Sequence, residues 1–75
     1  MTVEMYSKDN CVYCVAAKNL LDARGIPFVL HHMEGDYHTL FEKTGGMTFP
    51  QILIDGQVIG GFTELRALDK AGKLA

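Results

Sequence analysis

The only two cysteines of this 75-residue chain stand in the segment Cys11-Val12-Tyr13-Cys14. A short apolar run ends a few residues before them, and a segment with helical periodicity follows at once. The pair therefore lies at a predicted strand-to-helix junction, and this constrains the fold because both thiols must sit at the start of the first helix. A dithiol in that position is typical of proteins that exchange disulfides.

The composition fits one small domain, which we predict over residues 1–75. The net charge is −2 and the basic residues are scattered, so we expect no nucleic-acid partner. No apolar run approaches the ~20 residues that cross a bilayer, and the N-terminus lacks the pattern of a secretory signal, so no membrane association is expected. We expect a monomer in the cytoplasm, a reducing compartment where a stable structural disulfide would be unusual.

Apolar periodicity and turn residues predict four strands. The first three run from Val3 to Tyr6, from Pro27 to His32 and from Gln51 to Ile54. A turn at Asp55-Gly56 leads into the return strand Val58-Ile59. Because a helix connects the first two strands, they should be parallel with a right-handed crossover.

Three helices are predicted between and after these strands. The first covers Cys11 to Arg24, with Cys14 on its buried face and Lys18 on its solvent face. The second contains Tyr37, Leu40 and Phe41, which we assign to the core. The third begins with Thr63 as N-cap and Glu64 in the first turn. The order β-α-β-α-β-β-α predicts a three-layer α/β/α sandwich around a four-stranded mixed sheet.

Three segments resemble those of one known family, and together they cover essentially the whole chain. They are Tyr6 to Cys14, Thr48 to Ile54 and Gly60 to Leu65. They are similar, in order, to the active-site segment, the T-V-P-x-(V/I)-F-I segment and the G-G-C-D-D-L segment of the glutaredoxins, which have the thioredoxin fold. The resemblance implies a glutathione-dependent thiol–disulfide oxidoreductase that reduces protein disulfides and protein–glutathione mixed disulfides.

The two cysteines are expected to have different roles in this chemistry. Cys11 lies at the helix start, where free N–H groups and the helix dipole favour an anion, and Lys8 adds nearby positive charge. Cys11 is therefore the predicted nucleophile, which attacks as the thiolate. Cys14 lies one turn later and nearer the core, so it is the predicted resolving thiol.

The resemblance also implies a site for glutathione, as reductant and co-substrate. Lys8 is expected to meet its glycine carboxylate, and Tyr13 to flank its sulfur. The bond between Phe49 and Pro50 is expected to be cis and to face the dithiol. The remaining contacts are expected from the other two motifs, at Thr48, Phe49, Pro50, Gly61, Phe62 and Thr63.

The chain departs from the family pattern at three points. Val12 stands where most dithiol members carry proline. Asp9 places a negative charge close to Cys11, which opposes the contribution of Lys8. Phe62-Thr63 replaces the common Cys-Asp pair and so removes one expected carboxylate from the glutathione site.

Two alternatives to this function remain open at the level of sequence. The first is a glutaredoxin-like hydrogen donor for ribonucleotide reductase that is reduced by thioredoxin reductase. Phe62 leaves this alternative open, whereas Lys8 and Gly60-Gly61 favour glutathione. The second is a carrier of a glutathione-ligated iron–sulfur cluster. No metal site made of protein ligands alone is predicted, because His31 and His32 point to opposite faces of a strand and His38 lies in the next helix.

Overall fold

The computed structural model describes residues 1–34 and 36–74. This part of the chain forms four strands and three helices in the predicted order. They are β1 (Val3–Ser7), α1 (Val12–Ala23), β2 (Val29–His32), α2 (Tyr37–Thr44), β3 (Gln51–Ile54), β4 (Gln57–Gly60) and α3 (Phe62–Lys70).

The sheet has the strand order β2-β1-β3-β4. The pair β1 and β2 is parallel, with Met5 opposite Leu30, whereas β3 pairs antiparallel with both β1 and β4. The β3–β4 turn uses Asp55 and Gly56, both at positive φ, as a tight hairpin requires. These pairings confirm the predicted mixed sheet and the thioredoxin-like α/β/α class.

The main core lies between the sheet and the pair α1 and α3. Alternate residues of β1 are buried, as expected for a strand that presents one face to a core. The buried members of this cluster are Val3, Met5, Ala17, Leu21, Ile26, Ile52, Leu65 and Leu74. Because α1 and α3 both rest on it, this core fixes the start of α1 relative to the start of α3, where the site forms.

The prediction that three residues of α2 belong to the core was wrong for two of them. Leu40 is fully buried, but Tyr37 is 41% exposed and Phe41 is 53% exposed. The helix has eight residues, and Leu40 is the one that is buried. Tyr37 instead lies against the edge of the Phe49 ring, with a centroid separation of 5.6 Å.

The predicted N-cap of α3 was also wrong. The helix begins at Phe62 with Gly61 as N-cap, so Thr63 lies inside the first turn. The side chain of Glu64 explains the shift, because its Oε1 accepts a hydrogen bond from the Gly61 N–H at 2.7 Å. A glutamate at this position that binds back to the N-cap is half of a capping box. Other boundaries moved by one or two residues. The structure places them at β1 Val3–Ser7, α1 Val12–Ala23, β2 Val29–His32 and β4 Gln57–Gly60.

An ion pair joins the end of α1 to α3. The guanidinium of Arg24 donates from Nε to Asp69 at 2.7 Å and from a terminal nitrogen at 2.9 Å. This hydrogen bonding holds the pKa of Asp69 below its ordinary value of 3.8. The pair therefore contributes stability above that ordinary value, and the contribution is lost as the pH falls through the lowered pKa of the folded state.

We expect Arg24→Gln to lower the melting temperature by about 2–4 °C at pH 7, in keeping with an exposed ion pair. The difference from the parent should shrink as the pH falls through the lowered pKa of Asp69, because the protonated carboxyl no longer forms the ion pair. Thermal unfolding followed by circular dichroism between pH 2 and 7 measures this, with Arg66→Gln on the exposed face of α3 as control. A difference that stays constant with pH would assign the effect of Arg24 to packing instead.

Candidate active site

The two cysteines form a disulfide at the start of α1. Their Cα atoms lie 5.2 Å apart, a separation that permits the bond. Cys11 is the N-cap of α1, and its Sγ accepts a hydrogen bond from the Cys14 N–H at 3.2 Å. Cys11 is partly exposed, whereas Cys14 is 1% exposed. The sulfur of Cys11 is therefore the more accessible, and the backbone N–H beside it would stabilise a negative charge there once the bond is reduced.

The loop before β3 forms a second part of the site. The Phe49–Pro50 bond is cis, which confirms the expectation from the family resemblance. The buried side chain of Gln51 holds the loop, because its Nε2 donates to the Thr48 carbonyl at 3.0 Å and to Thr48 Oγ1 at 3.2 Å. Gly46 packs against the same side chain so closely that a Cβ there would lie 2.5 Å from Gln51 Nε2. The Gln51 side chain thus contacts the loop at both Thr48 and Gly46.

The turn from β4 into α3 forms the third part. Gly60 has φ +120°, a conformation that side chains rarely adopt. A Cβ on Gly61 would lie 3.3 Å from the carbonyl oxygen of Pro50, so the two backbone segments pass close to each other. Phe62 then reaches toward α1 and stacks on Tyr13 at a centroid distance of 6.1 Å. Tyr13 lies between the two cysteines in sequence, so this contact joins the α3 turn to the dithiol.

These three parts enclose a groove of about 440 Å³, here named the α3-side groove. Its residues come from the dithiol segment, the loop before β3 and the start of α3. They are Tyr13, Thr48, Phe49, Pro50, Gln51, Gly60, Gly61, Phe62, Thr63 and Glu64. The set contains every residue predicted to contact glutathione except Lys8.

A second concavity, here named the α1-side groove, lies along the other side of the dithiol. It has a volume of about 530 Å³ and contains both cysteines. Its remaining residues are Lys8, Asp9, Asn10, Val12, Val15 and Lys18. The disulfide therefore belongs to the second groove, while Tyr13, between the two cysteines, belongs to the first.

Lys8 connects the two grooves. It lines the α1-side groove, but its Nζ lies 5.8 Å from the centre of the Phe49 ring and 5.9 Å from that of Tyr37. The Nζ also donates to the Tyr37 hydroxyl at 3.4 Å. The ammonium is thus held over two aromatic rings, one of which belongs to the α3-side groove.

Sequence reasoning missed several residues that shape the site. Gln51 was assigned to a strand with no further role. The sequence around it gives no local signal of the hydrogen bonds that its side chain makes to the loop. Lys18 was placed on the solvent face of α1, yet it lines a groove with Cys14. A signal was available here, because Lys18 follows Cys14 by four residues, a spacing that places side chains on one helix face.

The histidines lie outside both grooves. His31 stacks on the Tyr6 ring and faces Glu4 at 3.1 Å, while His32 faces Asp9 at 3.6 Å and Glu34 at 3.0 Å. Asp9, His32 and Glu34 offer three ligand atoms within 4.8 Å of one another, and all three side chains are exposed. Exposed clusters of this kind are common without a bound ion, so the arrangement alone is not evidence of a metal centre.

The model of the glutaredoxin family matches residues 3–59 of the chain. Glutaredoxin 3 of Escherichia coli strain K12 is 41% identical over 75 residues, which cover 96% of this chain and 90% of that protein. The chain belongs to the glutaredoxin family. It is therefore a thiol–disulfide oxidoreductase, with Cys11 and Cys14 as the redox pair that its structure joins in a disulfide.

Solved glutaredoxin structures agree with this assignment. The solution structure of glutaredoxin from Brucella melitensis matches with a TM-score of 0.81 and 35% identity, covering 99% of this chain and 84% of the other. A crystal structure of a buckwheat glutaredoxin–glutathione complex matches with a TM-score of 0.81 and 30% identity, covering 96% and 71%. Within the described residues of this glutaredoxin, each helix is too short or too polar to cross a bilayer.

Proposed function

We propose that this glutaredoxin uses glutathione as its electron donor and reduces protein–glutathione mixed disulfides and protein disulfides. The observation that carries the proposal is the α3-side groove. It opens beside Tyr13 in the dithiol segment and gathers all the residues that the family resemblance assigned to glutathione except Lys8. The buckwheat relative, which was solved as a glutathione complex, supports the same ligand class.

The chemistry of the groove suits the two ends of a glutathione molecule. The first backbone N–H groups of α3, at Phe62 and Thr63, have no partner within the helix and favour an anion, which fits the γ-glutamyl carboxylate. The ammonium of Lys8, held beside Phe49, fits the glycine carboxylate. The stacked rings of Tyr13 and Phe62 supply apolar surface for the atoms between the two charged ends.

The reaction begins with the reduced dithiol. The Cys11 thiolate attacks the glutathionyl sulfur of a mixed disulfide, forming a Cys11–glutathione disulfide and releasing the substrate as a thiolate that takes up a proton. The thiolate of a second glutathione attacks the glutathionyl sulfur of this adduct. Oxidised glutathione leaves, and the Cys11 thiolate is restored. In the net reaction one free glutathione is consumed, the substrate cysteine is released as a thiol, and the glutathionyl group leaves in oxidised glutathione, so one disulfide is exchanged for another.

Protein disulfides require Cys14. Attack by Cys11 on such a disulfide gives a mixed disulfide between the two proteins, and Cys14 then attacks the sulfur of Cys11. The substrate leaves fully reduced, and the Cys11–Cys14 bridge remains, as in this structure. Two glutathione molecules then reduce the bridge. We further propose that the protein acts in the cytoplasm, because the cycle depends on a compartment that keeps glutathione reduced. We also propose that it acts as a monomer.

A comparison of electron donors tests this proposal. We expect the protein to reduce a glutathionylated peptide when supplied with glutathione, glutathione reductase and NADPH, and to be at least about tenfold slower with thioredoxin reductase and NADPH alone. The consumption of NADPH, followed by its absorbance, measures both rates. The uncatalysed rate with glutathione alone is the control.

The opposite result would support the second candidate function. Phe62 replaces a cysteine of the usual family segment, and its ring stacks on Tyr13 in the wall of the α3-side groove. Gly60-Gly61-Phe62 resembles the S-G-F motif of glutaredoxin-like proteins that take electrons from thioredoxin reductase, so this alternative stays open. If thioredoxin reductase sustained turnover and glutathione did not, the glutathione proposal would be wrong. Ribonucleotide reductase would then be the first substrate to examine.

A further inference from the structure

We propose that the α1-side groove binds the protein half of a mixed disulfide and prefers substrates with an acidic side chain near the reacting cysteine. The inference rests on the proposed function, which places the glutathionyl half in the α3-side groove. In disulfide exchange the attacking, central and leaving sulfurs lie roughly in line, so the protein half projects beyond the glutathionyl sulfur. With the glutathionyl half in the α3-side groove, the surface left for the protein half is on the other side of the dithiol. The α1-side groove is the concavity that contains Cys11 itself.

One wall of this groove is apolar. Val12 is 79% exposed and Val15 is 52% exposed, and both lie on the first turns of α1 beside the disulfide. Exposed apolar side chains next to a reactive group mark a contact surface rather than a solvated face. They favour a substrate that carries an apolar residue close to its cysteine.

The polar part of the groove carries an excess of positive charge. Lys8 and Lys18 both line it, against the single carboxylate of Asp9. When the glycine carboxylate of glutathione pairs with Lys8, Lys18 is the cation left for the protein half. The Asp9 carboxylate lies 3.6 Å from the Nε2 of His32, on the side of the loop that faces β2, so its charge is partly directed away from the groove. The start of α1 adds the positive end of the helix dipole. The balance favours an acidic partner.

Lys18 is the cation that belongs to this groove alone. The ammonium of Lys8 lies over the rings of Tyr37 and Phe49 and is shared with the other groove. Lys18 is partly buried, and none of the ion pairs found among residues 1–34 and 36–74 involves it. A charge that is free of internal partners can contribute to an intermolecular pair without first breaking another.

Two glutathionylated peptides test the inference. Both carry leucine beside the cysteine and are identical except at one position, two residues from the cysteine. That residue is Glu in one peptide and Lys in the other. With the parent protein, kcat/KM for the acidic peptide should exceed that for the basic peptide by about threefold to tenfold at low salt. The ratio should approach one at high salt, because exposed charges are then screened.

Variants of Lys18 test whether the preference for the acidic peptide arises in the α1-side groove. Lys18→Met should reduce the ratio and Lys18→Glu should abolish or reverse it, whereas Lys73→Glu, with the same change in net charge outside both grooves, should leave it unchanged. A ratio of two rates is measured so that any change in the reactivity of Cys11 cancels. Equal rates for the two peptides with the parent, or a ratio that Lys18→Glu leaves intact, would overturn the inference while the proposed function stands. If the parent reduced neither peptide with glutathione, the proposed function would be wrong as well.

Discussion

Replacing Cys11 by serine is expected to lower the rate of disulfide exchange by at least about 10³-fold, because a hydroxyl is not ionised at neutral pH and cannot form the covalent intermediate. In the structure, the sulfur of Cys11 is more accessible than that of Cys14, and it accepts a hydrogen bond from the Cys14 N–H. Nothing else in the α1-side groove offers a thiol once Cys11 is lost, except Cys14, which is 1% exposed. Reduction of a glutathionylated peptide and of a protein disulfide should therefore fail together.

Cys14→Ser is the matched control, since it makes the same chemical change three residues away. This variant should retain reduction of the glutathionylated peptide within about tenfold of the parent, because glutathione can resolve the adduct on Cys11. It should lose most reduction of protein disulfides, for which the buried thiol is needed. Circular dichroism of both variants checks that they are folded. An active Cys11→Ser variant, or a Cys14→Ser variant inactive on both substrates, would contradict the division of roles.

Local patterns were sufficient to predict the order of elements and the sheet. The first strand, predicted from Val3 to Tyr6, and the turn at Asp55-Gly56 depend on neighbours in sequence. The structure confirms both and extends β1 by one residue to Ser7. Periodicity failed in α2, where Tyr37 and Phe41 share a helix face with Leu40 and yet remain exposed. Periodicity tells which residues lie on one face, but whether another element covers that face depends on the tertiary packing.

The candidate site was predictable where a family motif covered it. The contacts that shape the site were not predictable, because they join segments that are distant in sequence. Gly61 passes against the carbonyl of Pro50, and Phe62 stacks on Tyr13. Each contact requires the sheet to place β3 and the turn before α3 beside the start of α1. The division of the surface around Cys11 into two grooves follows from these contacts.

A second large effect, on stability, is expected from a substitution in the core beneath both grooves. Leu65 is fully buried in the cluster between α1, α3 and the sheet, and its N–H donates to the Gly61 carbonyl at 3.1 Å. Leu65→Ala should cost about 2–5 kcal/mol, the range for a buried leucine whose removal leaves a cavity. A domain of this length has a total stability of about 4–11 kcal/mol, so the loss is a large fraction of the whole.

We therefore expect Leu65→Ala to lower the melting temperature by about 10–25 °C, measured by thermal unfolding and by urea titration. Leu30→Ala is the matched control, because Leu30 is 42% exposed on the edge strand β2 and the same truncation there should cost less than about 1 kcal/mol. Since α3 carries Gly61, Phe62 and Thr63 into the α3-side groove, the Leu65 variant should also lose glutathione-dependent activity at temperatures where the parent retains it. Similar losses of stability in the two leucine variants would show that the core between α1 and α3 does not hold the α3 residues of the α3-side groove in place.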